Sequence, residues 1–253
     1  MKKIRVFLKK YWPTILITVV AVLVYHFLTL VGRLDPLLFP KTQSIINSFK
    51  ENGLGMFKNM FASFRLLFPS VVAGVVIALL IGVPLGLKRR TREVFLPIVY
   101  SLSVVPSILL SPFLLSLAPS LTAASRIMIT YSVMWGVCFG AINGVSTIDK
   151  TYLDTADSLE IHGFKRLIRV ILPAASPTIL AGAVSSLRSS FTVLVFAEMY
   201  GAQYGLGFFV KKSAEFGIYS NVWSGFIFLV IVLVAVLRIF EAIKDRLLDW
   251  TIN

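Results

Sequence analysis

Few residues in this chain could act on a solute, and most of them sit in or beside long apolar runs. Arg188 lies inside one such run. An arginine in hydrocarbon is costly and ordinarily faces a cavity or a partner, so one use for it is a fixed positive charge offered to an anion. The alternatives are a structural ion pair or snorkelling to an interface. Ser185, Ser189 and Thr192 flank it with hydroxyls that could line a polar path. Glu198 closes the same run and reads either as a gate residue or as an interfacial charge, while Arg65, near the end of another run, reads as a snorkelling side chain. Catalytic constellations are not in view. His26 and His162 are far apart, Cys138 sits in an apolar run as a small hydrophobe, and no metal-ligand spacing is evident. There is no G-x-x-x-x-G-K-[ST] stretch, so the chain cannot cradle nucleotide by that route and is read as a non-catalytic protein that binds no cofactor of its own.

The elements that position these residues are set by composition. Of the 253 residues, 57% are apolar and 15% charged, with a mean hydropathy of +0.85; a soluble domain would be about a quarter charged. Several apolar runs exceed the roughly 18 to 20 residues needed to cross a bilayer. The expected fold is all-α and polytopic, with six spans near 13–31, 60–87, 94–118, 124–144, 174–197 and 222–238. Pro97, Pro106 and Pro112 predict a kinked or broken third span. The first apolar run, residues 14–31, is longer than a signal-peptide core and lacks a small-residue cleavage site, so it is expected to be an uncleaved helix.

The formal charge of +13 resembles that of a nucleic-acid binder until it is mapped onto the loops. Lys2, Lys3, Arg5, Lys9 and Lys10, then Lys88, Arg89, Arg90 and Arg92, then Lys150, Lys165, Arg166 and Arg169, then Arg238, Lys244 and Arg246 fall on one side. Against those sixteen, the other side has seven: Arg33, Lys41, Lys50, Lys58, Arg126, Lys211 and Lys212. The positive-inside rule then puts both termini in the cytoplasm, and a nucleic-acid partner is unnecessary.

Three connecting segments are too long for turns. In 32–58, Pro40-Lys41-Thr42-Gln43 followed by Ile45, Ile46 and Phe49 predicts a short amphipathic helix on the outer surface, ending an N-terminal unit (1–58) before the core (59–253). Residues 198–221 read as a glycine-containing outer loop. The cytoplasmic segment 145–173 is the informative one: Tyr152, Ala156 and Leu159 recur at helical spacing, then Phe164, Leu167, Ile168 and Ile171, with Lys165, Arg166 and Arg169 turned away and Gly163 between the halves. Two small amphipathic helices outside the bilayer cannot bury their apolar faces alone and call for a docked partner or a lipid surface. Within the spans, small residues repeat every four positions, at Ser132, Gly136, Gly140 and Gly144 and at Thr178, Gly182, Ser186 and Ser190, which predicts close helix packing; the alternative for the polar members of the second set is to line the path with Ser185, Ser189 and Thr192.

Segment 145–173 resembles the EAA loop of bacterial ABC importer permeases, whose pattern is E-A-A, three residues, Gly, nine residues, I-x-L-P. Asp154, Thr155 and Ala156 occupy the E-A-A positions, Leu159 precedes the glycine position, and Ile171, Leu172 and Pro173 lie in or beside the closing motif. Thr155 replaces an alanine and Glu160 stands at the glycine position, so the turn is expected to have slid to His162-Gly163. The stretches Leu38-Phe39-Pro40-Lys41, Ile81-Gly82-Val83-Pro84-Leu85-Gly86, Ala197-Glu198-Met199-Tyr200-Gly201 and Gly205-Leu206-Gly207-Phe208 make the chain most similar to the nitrate, sulfonate and taurine type.

The resemblance implies a type I importer permease in the inner membrane, paired with a second copy or a paralogue. Two ATPase subunits carrying ATP and Mg would grip Asp154, Thr155, Ala156, Leu159, Glu160 and Gly163, and Leu172-Pro173 would hand motion to the fifth span. An extracytoplasmic binding protein would deliver a small organic anion; a vitamin or vitamin precursor is the alternative cargo. An ion-coupled secondary transporter is the other class of reading. It would ordinarily carry mid-span acids or an inverted repeat, neither of which is evident.

Overall fold

A computed structural model describes the backbone of residues 2–251 and the side chains of 12–250. Among these residues there is no strand. The helices are α1 (Lys2–Leu30), α2 (Thr42–Leu87), α3 (Arg89–Ser103), α4 (Ser111–Leu117), α5 (Leu121–Ser146), α6 (Lys150–Ser158), α7 (Gly163–Arg166), α8 (Leu172–Gly201), α9 (Leu206–Glu215) and α10 (Tyr219–Leu247). Five helical runs are long and apolar enough to cross a membrane; α3 with the helical run Ser107–Leu117, bent by 76°, makes a sixth if counted as one span.

Helix α5 is the axis of the fold, with half of its most apolar window buried. One of its faces meets α8 through the predicted small-residue seams. A Cβ placed on Gly182 would lie 2.3 Å from the Gly136 carbonyl, and one on Gly140 would lie 2.7 Å from that of Thr178. Such contact leaves room only for glycine, and it brings large dispersion gains where no hydrophobic effect separates helix from lipid. The opposite face meets α2 through a seam the sequence analysis passed over: Gly74, Ala78, Gly82 and Gly86. There, added Cβ atoms would strike Val133, the Cys138 carbonyl and Val145.

Four expectations need correction. The short outer helix after Lys41 is not separate, because α2 runs unbroken for 46 residues through Lys58, where the unit boundary had been placed. Gly53 and Gly55 each cost a helix only about 1 kcal/mol, and burial of Ile45, Ser48 and Met56 holds the early turns in place. At about 69 Å the helix is more than twice the ~30 Å hydrocarbon thickness. The outer loop 198–221 contains α9, whose Leu206 packs with Met56, Leu229 and Val232. The sixth span is longer than 222–238. Finally, the second arm of 145–173 is no independent helix: α7 continues through a π-helical turn, Leu167–Ile171, into α8. Pro173 has no N–H and its ring displaces the carbonyl four residues back, and the wider turn just before it, closed by Leu172 N–H to the Leu167 carbonyl, absorbs that misfit without ending the helix. Pro173 therefore sits within a continuous run of 39 residues, Gly163–Gly201.

Helix α1 stands apart: only 6% of its apolar window is buried. It is tied at one end, where the Tyr25 hydroxyl donates to the Pro40 carbonyl at 2.7 Å and its ring lies 5.4 Å from that of Trp223.

Candidate functional site

Two features at different depths could do the work the sequence suggests: a hairpin at one end of the bundle and a polar cleft beside its axis.

The hairpin begins at Asp149, whose carboxylate accepts from the Thr151 N–H at 2.8 Å and caps α6. That contact, with the Thr151 hydroxyl, holds its pKa below the usual carboxylate value. Helix α6 ends in a Schellman turn: the Ile161 N–H donates to the Ala156 carbonyl at 2.8 Å and the Glu160 N–H to that of Asp157 at 3.0 Å. The residue after such a cap must be left-handed, and Glu160 is, with φ +54°. The turn has therefore not slid away from the glycine position of the pattern. Glu160 occupies the conformation glycine would take, and Gly163, φ +59°, adds a second reversal that opens α7. Arg166 is not turned away; its guanidinium pairs with Asp157 and reaches the Leu153 carbonyl at 3.4 Å, stapling the two arms together.

Of the residues expected at the docking face, Asp154, Thr155, Leu159, Glu160 and Gly163 are exposed, and Ala156 is buried against the fold. Leu159 and Phe164 are 65% and 74% exposed. Thr155, Leu159, Ile161 and Pro173 also line a groove of about 550 Å³ whose far wall is Trp250. Leu172 is half-buried at the junction with α8.

The cleft lies where the third span breaks. Pro106 cannot donate to the Leu102 carbonyl, which accepts instead from the Val105 N–H at 3.2 Å and from the Tyr131 hydroxyl of α5. This opens a cavity of about 440 Å³ bounded by Ser103 and Ser107 from the break, Tyr131, Ser132 and Trp135 from α5, and Ser185, Ser186, Ser189 and Thr192 from α8. Two buried polar atoms on its wall, Trp135 Nε1 and Ser186 Oγ, have no hydrogen-bond partner. Buried polar groups are nearly always satisfied, so these two are exceptions, held in the packing behind the cleft wall. Ser132, Gly136 and Ser186, expected to serve packing, thus also border this cleft; Gly140, Gly144, Thr178 and Gly182 lie in the α5–α8 seam alone. Sequence reasoning missed Ser103, Ser107 and Trp135, although the proline spacing marked where a polar backbone would be exposed.

Arg188 is not part of the cleft. Its Nη2 is 2.8 Å from Glu241 Oε1 on α10, and Glu241 also faces Arg238 at 3.3 Å. Glu198 is only 1% exposed, so it is not an interfacial charge. Its Oε2 accepts from the Gly207 N–H at 2.7 Å, while Asn59 and Ser63 accept from the N–H groups of Gly205 and Leu206, each at 3.0 Å. Three side chains from α2 and α8 thus fasten the first turn of α9. A Cβ on Gly205 would lie 2.4 Å from the Glu198 carboxyl carbon, so the motif spacing reflects a backbone laid directly on a carboxylate.

Among the described residues no group of three or more His, Cys, Asp or Glu could hold a metal. Residues 70–250 match the family described as a binding-protein-dependent transport system inner membrane component. The chain is 26% identical to the taurine transport system permease protein of Escherichia coli K12, over 96% of this chain and 94% of that protein. It is 22% identical to the nitrate import permease protein of Synechocystis, over 74% and 70%. In three dimensions it resembles a chain of the inward-facing MetNI methionine ABC transporter, with a TM-score of 0.64 and 18% identity, covering 76% of this chain and 95% of that one.

Proposed function

The chain belongs to the family of binding-protein-dependent transport system inner membrane components, and from that premise we propose how it works as the multi-pass permease subunit of an ABC importer. Two such subunits, identical or paralogous, enclose a path whose polar wall on this chain is the cleft of Ser132, Ser185, Ser186, Ser189 and Thr192. The hairpin of α6 and α7 faces the cytoplasm, as the lysine and arginine distribution supports, and each of two ATPase subunits grips one hairpin through Asp154, Thr155, Leu159, Glu160 and Phe164. ATP and Mg belong to those partners. A binding protein on the other side delivers the cargo, which we take to be a small anion, in keeping with the names of the taurine and nitrate relatives.

The observation that carries this reading is the exposed Leu159 and Phe164 on a stapled hairpin that is continuous with the helix bordering the cleft. When nucleotide draws the ATPases together, each hairpin moves as a rigid arm, and α8 tilts with it between two packings against α5. Arg188 then serves as the structural tie between α8 and α10, and Glu198 as the fastening of α9.

Two variants test the docking role: Glu160→Arg and deletion of residues 154–163. Both are expected to insert in the membrane yet lose co-purification with the ATPase subunit and the ATP hydrolysis that depends on the binding protein. Retention of both properties would overturn the proposal.

A further inference from the structure

At the end of the bundle opposite the hairpin, where α5 begins and α8 finishes, a second cavity of about 570 Å³ is bounded by Arg65, Arg126, Thr122, Gln203 and Tyr204. Arg65 had been read as a lone snorkelling side chain and Arg126 as a loop charge; the fold brings them to one concavity from α2 and α5. Neither has an ion-pair or hydrogen-bond partner among the described residues, and no acid lines the cavity. Two guanidiniums without an acidic partner on the wall of one concave site suit an anion lying between them that accepts from their planar forks.

The rest of the wall suits the same guest. Thr122 brings a hydroxyl from the first turn of α5, whose N-terminal end carries the positive pole of a 26-residue helix. Gln203 and Tyr204 sit on a four-residue link held firmly at both ends, by the close packing of Gly201 near Ser125 and by the Gly205 N–H to Asn59. The link is therefore held in the cavity wall at both ends and is not a loose flap.

We propose that this cleft is a receiving site for a small oxyanion, a sulfonate, nitrate or carboxylate group, which Arg65 and Arg126 hold at the mouth of the path before it passes to the serine-lined cleft deeper in. The inference rests on the importer reading and adds where the anionic cargo is first held. It also assigns selectivity to the permease itself, since a neutral analogue gains nothing from the two charges.

The test uses the permease with its ATPase partner in nanodiscs of phosphatidylcholine, with ethanesulfonate as probe and ethyl methyl sulfone as the uncharged control. Ethanesulfonate is expected to give a saturable thermal shift and the sulfone none. Arg65→Gln with Arg126→Gln should weaken the probe's binding at least tenfold, and the doubly lysine-substituted protein should fall between, keeping charge but losing the fork. Both arginines are exposed, so ATPase co-purification should be unchanged in all variants. Loss of that association in the unsubstituted protein would count against the importer reading, separately from anion binding. Equal probe binding by the double glutamine variant, or none by the unsubstituted protein, overturns the proposal. So does displacement of the probe by phosphatidylglycerol together with a tightly held phosphatidylglycerol that the variant loses, which would make this a lipid headgroup site.

Discussion

Replacing Glu160 with glycine should strengthen the hairpin even though it deletes a charged residue at the proposed docking face. A left-handed backbone costs a residue with a Cβ roughly 1 to 2 kcal/mol, and Glu160, at φ +54°, is the one non-glycine residue in that region among those described. Glycine removes this cost but brings extra unfolded-state entropy of about 0.5 to 1 kcal/mol. The net gain is about 0.5 to 1 kcal/mol, a factor of roughly two to five in the local opening equilibrium at 1.4 kcal/mol per tenfold. Because the gain is local, it is read by amide hydrogen exchange over residues 150–166 in nanodiscs and not by global melting. Glu160→Gly should slow exchange there by that factor. Glu160→Ala removes the same carboxylate but keeps the Cβ, so it should show no such slowing. If the alanine and glycine variants exchange alike, or if glycine accelerates exchange, the conformational argument fails.

Gly182→Ala should destabilise the bundle by about 1 to 3 kcal/mol through overpacking, because its Cβ meets the Gly136 carbonyl. Gly55→Ala, in a helix interior with open space around it, should stabilise by up to about 1 kcal/mol; thermal unfolding of the two variants side by side checks the sign. Glu198→Ala strips the acceptor from the Gly207 N–H and should cost about 1 to 3 kcal/mol locally, seen as faster exchange over residues 205–210, while Glu198→Gln, which keeps an oxygen there, should exchange close to the parent. Asp149 has a folded pKa lowered from 3.8 by its bonds to Thr151. Its contribution to the hairpin is therefore complete above that value and is lost only as pH falls through the lower folded one. The Thr151 amide resonance should titrate with a midpoint below 3.8, and a midpoint at or above it would refute the cap.

The spans, the break in the third and the α5–α8 seam were legible because each follows from local rules: apolar length, proline chemistry and the period of small residues. The second seam, Gly74 to Gly86, obeyed the same period and was there to be read. Other features were set by tertiary contacts that local patterns do not encode. Nothing near Gly53 or Gly55 announces that α2 continues, since burial of Ser48 and Met56 against α9 and α10 decides it. Glu198 read as a gate or an interfacial charge because its neighbours in sequence lie at a span's end, but the backbone of Gly205 and Gly207 folds back over it. Arg188 carried two open meanings until Glu241, 53 residues away, stood beside it. Of the cleft, the α8 hydroxyls could be foreseen, whereas Trp135 could not, since its place on the wall depends on the break in another helix.

Because a π turn carries the chain past Pro173, one covalent rod about 58 Å long reaches from the foot a motor would hold to the lip where solute would arrive. Such a rod needs no relay of side-chain switches. A tilt imposed at Phe164 would travel to Gly201 along one backbone, with the π turn and Pro173 as the point where that rod bends.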